Sequence, residues 1–135
     1  MASRDLYNSV SPASSIVAQA VTAAANGTGV DLQGFESADV LIDLGTFAGT
    51  TPTATIQIQE SDDNSTFTAV AAADLIGGAL PTTIDTTNDV ALYERGYIGT
   101  KRYLRVAVTA VTGTGPSLPM SAVVVRGHAR SKPAS

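Results

Sequence analysis

Apolar and polar side chains alternate along this chain in short runs, and a period of two predicts extended strands with one face turned inward. In residues 39–44, Val40, Ile42 and Leu44 share one face while Asp39 and Asp43 share the other, and Gly45 ends the run. Residues 54–60 give the clearest alternation, with Ala54, Ile56 and Ile58 inward and Thr55, Gln57 and Gln59 outward. The small polar side chains of 61–65 can fold back onto their own backbone. Residues 66–70 then resume the alternation with Phe67 inward, so the two runs predict a hairpin. Residues 102–111 are long enough for a central strand with Leu104, Val106 and Val108 toward the core. Gly113-Thr114-Gly115-Pro116 reads as a turn, and the valine-rich 121–127 as a closing strand.

The remaining segments are less regular. Residues 16–21 fit either an alternating strand or a short Ala-rich helix, and the strand is preferred. Asn26-Gly27-Thr28-Gly29 is a turn into 30–32, and 71–76 would form one helical turn ended by Gly77-Gly78. A short edge strand is expected around 82–84, a turn at 87–89 and a strand at 90–93. Roughly seven or eight strands, with turn signals about every ten residues, predict an all-β chain. The expected layout is a single β-sandwich or jelly-roll-like domain over 13–127. An extended arm precedes it at 1–12, and a short tail follows at 128–135, either frayed or ordered by a partner.

Composition sharpens this picture mainly by exclusion. The 135 residues suit one domain. With no Cys there is no disulfide framework, thiolate metal site or Cys nucleophile. Trp is absent and aromatics make up 5%, so a stacking platform for bases or sugar rings has little to build with. The net charge of −4 and pI of about 4.6 argue against nucleic acid as a partner. No run approaches the ~20 apolar residues of a membrane span, and residues 1–8 lack the apolar core of a secretion signal, so no membrane partner is expected.

The charges are ordered along the chain. All twelve acids lie between Asp5 and Glu94 with no cation among them, while seven of the eight cations fall from Arg95 onward. Two readings follow: opposite faces of neighbouring subunits could pair head to tail, or strand order could mix the two halves within one subunit.

Catalytic chemistry finds no constellation, so no catalytic residue, cofactor or metal is assigned. His128 is the one histidine and supports neither a Ser-His-Asp arrangement nor a multi-histidine metal site. Glu60, Asp62 and Asp63 are the densest carboxylates, but their spacing departs from a Ca²⁺-binding EF-hand loop, and a self-capped turn is the favoured reading. Asn26-Gly27-Thr28 and Asn64-Ser65-Thr66 match the glycosylation pattern and are read as polar turns. The Gly-rich 27–29 and 113–115 lack the lysine and strand-to-helix setting of a phosphate cradle. Lys101, Arg102 and Arg105, with Tyr97 and Tyr103, form the one basic and aromatic cluster. On a strand Lys101, Tyr103 and Arg105 share a face, which is either a solvated surface or a partner-binding patch.

Several stretches together carry a resemblance: Ser3-Arg4-Asp5-Leu6-Tyr7, Val30-Asp31-Leu32-Gln33-Gly34-Phe35, Gln59-Glu60-Ser61-Asp62-Asp63 and Tyr97-Ile98-Gly99-Thr100-Lys101-Arg102-Tyr103. The chain resembles the small proteins encoded beside the major capsid gene in tailed phages and prophages, read as head decoration or minor capsid components. The likeness spans nearly the whole chain, including the Val-Val-Val-Arg-Gly-His run ending at His128. It implies a non-enzymatic virion structural protein, a decoration (cement) protein on the outer capsid surface. The expected partners are the phage major capsid protein and further copies in a homotrimer, with Arg4, Leu6 and Tyr7 pinning the arm to the shell and Lys101, Tyr103 and Arg105 as a second contact. A looser likeness joins 57–67 to the hairpin of jelly-roll carbohydrate modules, with Asn64 where Gly is usual and Phe67 where Trp is common. It supports the alternatives of a glycan- or receptor-binding fibre module, beside a tail or head-completion subunit.

Overall fold

The computed structural model of the protein describes residues 6–129. Its strands are β1 (Val10–Val21), β2 (Ala25–Asn26), β3 (Val30–Asp31), β4 (Phe35–Leu44), β5 (Ala48–Ser61), β6 (Thr68–Ala69), β7 (Leu75–Ile76), β8 (Leu92–Tyr97) and β9 (Tyr103–Ala129). One short 3-10 turn, Ala72–Asp74, precedes β7, and Gly77 and Gly78 follow it with φ of 105° and 83°. The chain is all-β, as its periodicity predicts, and its strand pairings are antiparallel.

β9 organises the rest. Along one edge it pairs with β4 and then β5, from Phe35 opposite Ala129 through Leu44 opposite Met120 and Ala48 opposite Ser117 to Ser61 opposite Tyr103, with register shifts confined to the β5 ladder. Along its other edge lie β1, β2 and β3, from Val10 opposite Gly127 to Asp31 opposite Tyr103. The product is a three-stranded ribbon bent double, so that one antiparallel sheet curls over its own core. β8 and β7 widen the arm that carries β4, while β6 and a bridge from Ile84 to Ala54 flank the arm that carries β5. Contacts between the arms close the curl: the hydroxyl of Ser15 in β1 donates to Thr28 O at 3.0 Å and accepts from Val106 N at 2.9 Å.

The alternation read from sequence supplies the core. Val40, Ile42 and Leu44 from β4, Ala54, Ile56 and Ile58 from β5, and Leu104, Val106, Val108, Leu118, Met120, Ala122 and Val124 from β9 join one buried cluster. Each fully buried Val, Leu or Ile contributes about 1.5–3 kcal/mol of transfer free energy. Phe47, also buried, comes from the connection between β4 and β5, and its N–H is held by Asp89 Oδ2 at 2.7 Å.

Four local expectations are corrected. Residues 113–116 do not reverse the chain. Gly113 and Gly115 take φ of 111° and 60°, and the facing β5 ladder shifts register twice between Ala48 and Thr53, so the segment is the bend of one 27-residue strand. β1 begins at Val10, inside the stretch read as an arm, and β9 runs to Ala129, past residue 127. Phe67 lies just outside β6 and is half-buried beneath a guanidinium rather than in the core. β8 begins at Leu92; Ala91 still exchanges bonds with Leu44, and Val90, exposed and at φ 48°, donates its N–H to Gly45 O where the chain turns into the strand.

Candidate interaction surface

Bending the ribbon brings the ends of β1, β4 and β9 close to the start of β9, and the sequence-selected residues gather at this pole. Arg4 lies outside the described residues. Leu6 and Tyr7 precede β1 and are 67% and 75% exposed. Lys101, Tyr103 and Arg105 stand at the start of β9, with Tyr103 and Arg105 on the outward face because Leu104 and Val106 point into the core.

The basic cluster is tied into its own subunit. Lys101 Nζ meets Asp62 Oδ2 at 2.7 Å, and this partner raises the affinity of the ammonium for its proton. Arg102 grips Asp31 with two parallel bonds, Nε to Oδ1 at 2.9 Å and Nη2 to Oδ2 at 2.8 Å. That hydrogen-bonded guanidinium, helped by the N–H of Gln33, holds the Asp31 carboxyl below its usual range. Arg105 donates to Gln59 Oε1 and stacks 3.9 Å from the Phe67 ring centre, and burial lowers its pKa. Arg126 reaches Ser11 and the Asp31 carbonyl while covering Phe35, and Arg95 reaches the Gly78 carbonyl. Strand order therefore mixes the acidic and basic halves of the chain inside one molecule, the second of the two readings of its charge order.

Loop carboxylates are likewise engaged. Asp63 Oδ1 accepts from the N–H groups of Ser65 and Thr66 and from Ser61 Oγ, with Asn64 at φ 60°, which makes 61–66 the self-capped turn expected of it. Tyr97 donates its hydroxyl proton to Glu60 Oε1 at 2.7 Å and accepts from Lys101 N. Burial, then the Glu60 bond, pushes its pKa up.

Two open grooves lie at this pole. The first, about 630 Å³, runs between 32–38 and 97–102 and is walled by Leu32, Phe35, Ile98, Lys101 and Arg102. The second, about 590 Å³, lies on the outer face of the β1–β9–β4 arm and is lined by Leu6, Val10, Asp39, Val125 and His128. Asp39 was legible as an outward position, but its partner was not. It faces Gly96, and Glu94 lies two residues along β8 on the same side of the sheet. Burial first, and then the Glu94 carboxyl, push Asp39 up to about 7. Only sheet order places Glu94 there.

No family model and no curated protein matches this chain. A solved structure does: the crystal structure of the SPBc2 prophage-derived protein YomS superposes with a TM-score of 0.52 at 17% identity, covering 86% of this chain and 94% of that one. The chain is similar to that protein in fold.

Proposed function

We propose that this chain is a non-enzymatic structural protein of a tailed-phage virion, acting as a decoration protein on the outer surface of the capsid. The observation that carries the phage assignment is the fold shared with a prophage-derived protein over most of both chains. The finer step, to a cement that binds the major capsid protein, is supported by the sequence resemblance and by the exposed Leu6 and Tyr7 at the pole where β1 begins and β9 ends. A curled sheet whose described cations and loop carboxylates are held by partners within the subunit is a body suited to adding buried area at joints between shell subunits. Because Asp31, Asp62, Lys101 and Arg102 are paired within the subunit, the proposed homotrimer would join through apolar surface such as Leu6, Tyr7 and Val17 rather than through opposite charges.

A glycan-binding module would need an open aromatic face. Phe35, Phe67, Tyr93 and Tyr103 each carry an arginine over the ring, which disfavours that alternative. The deciding experiment is cryo-electron microscopy of phage particles from cells carrying the gene, with the protein labelled. Density for the curled sheet on the outer shell, three copies around a local three-fold axis, is the expected result. Label on the tail or fibre, or particles that lack the protein, would overturn the reading.

A further inference from the structure

The edge of β5 that faces away from β9 is covered in two places only. Ala54 and Ile84 exchange both backbone bonds, at 2.8 and 2.7 Å, and further along Val70 N donates to Ile58 O at 2.9 Å before β6 takes up Gln59 and Glu60. Between these contacts no described residue pairs with β5 on this side. Where the β5–β9 register shifts, the extra residue is Thr109 of β9, and Pro52, Ala54, Ile56 and Ile58 stay buried in alternation, so β5 itself keeps its period. Ala54 and Ile58 bond toward the free edge, and the N–H and C=O of Ile56 therefore face it too, on a residue only 5% exposed. Continued in register, the pairing at Ile84 would set Thr82 against Ile56. The segment 79–82 stands off instead, and a cleft of about 240 Å³ lies between them, walled by Ile58, Val70, Leu75, Leu80 and Pro81.

We propose that this cleft is a docking slot for an extended, uncharged segment of a partner protein, which adds a short strand to β5 between Val70 and Ile84 through the N–H and C=O of Ile56. A donor and an acceptor side by side on one strand edge match the complementary pair of an extended backbone. Backbone groups shut away from water cost free energy while unpaired, so a segment bonded to Ile56 gains most there. No side chain lining the cleft is charged, and an Asp, Glu, Lys or Arg of the segment placed inside it would lose its water without gaining a partner. The cleft is smaller than the roughly 300–1,000 Å³ of small-molecule sites and suits one small apolar side chain with its backbone. The uncharged strands of this chain, β1 and the first part of β5, are themselves paired with β9, which favours another protein over a second copy as the source. The inference is independent of the virion reading.

Three capped peptides test it when titrated into the isotope-labelled full-length protein and followed by amide NMR: Ala-Val-Ala, the same peptide with its valine N-methylated, and Ala-Asp-Ala. The valine peptide should shift the signals of Ile56, Ala69, Val70 and Thr82 saturably. N-methylation removes the donor to Ile56 O and should weaken binding about tenfold or more, the scale of one lost backbone hydrogen bond. The aspartate peptide should leave those signals in place. No saturable shift up to about 20 mM peptide, or equal binding of the methylated or the acidic peptide, would overturn the proposal. So would an Ile56 amide that is protected from exchange in the free protein and lies close to the amide proton of Thr82, since the chain would then close its own cleft.

Discussion

Ser15 serves both arms of the fold through one hydroxyl, which donates to Thr28 O and accepts from Val106 N inside the core. Ser15→Ala strands both backbone groups, and we expect a loss of about 1–3 kcal/mol in urea unfolding, far above the cost of a surface serine. Gly27 belongs to the same knot. A Cβ there would stand 2.3 Å from Val106 O and 2.5 Å from Ser15 Oγ, so Gly27→Ala should lower the midpoint more than Gly34→Ala, which is strained by a φ of 91° but meets nothing within 4 Å. Sequence reading took Gly27 as a turn residue. Its need to be glycine comes from being wedged between β9 beside it and Ser15 of β1 from the other arm, which no local pattern records. At the pole, Arg102 lowers the pKa of Asp31, so this pair adds stability above the usual carboxyl range that disappears as pH falls through the depressed value. Asp31→Asn should therefore be less stable than the parent at neutral pH, with the difference between the two thermal unfolding curves closing as pH falls through the depressed Asp31 value and the carboxyl takes up its proton. A gap that persists in acid would refute the assignment.

At the scale of elements, the paired strands were legible wherever one face is buried, as in β4, β5 and the first half of β9. The bend was not. Gly and Pro punctuate 113–116 as they punctuate true turns, and only the successive pairing of β4 and then β5 along the same edge of β9 shows that the chain continues past the bend as one strand. Gly113 occupies φ 111°, and a Cβ there would lie 2.8 Å from Pro52 Cα and 2.9 Å from Thr50 O. Gly113→Ala should cost at least the ~1–3 kcal/mol of a strained backbone position, read as a shift in urea midpoint. A change within experimental error would mean that the bend is held elsewhere. The Asp39–Glu94 contact was hidden for a related reason: an outward carboxylate is visible in a period-two run, but the strand beside it is a property of topology.

For the whole molecule, one strand crossing both arms implies that neither arm keeps its core alone. Leu104 and Leu118 are both fully buried, one in each half of β9. Leu104→Ala and Leu118→Ala should each cost about 2–5 kcal/mol, and in each variant circular dichroism and tyrosine fluorescence should report one coincident transition. Separate transitions would show that the arms unfold independently. The same layout sets how the molecule bears mechanical load. Val10 sits beside Gly127, so tension applied between the two ends of the described chain peels β1 from β9 one rung at a time, instead of shearing many rungs together. A body tethered through both ends would open like a zipper at modest force, whereas one gripped across its flank would resist.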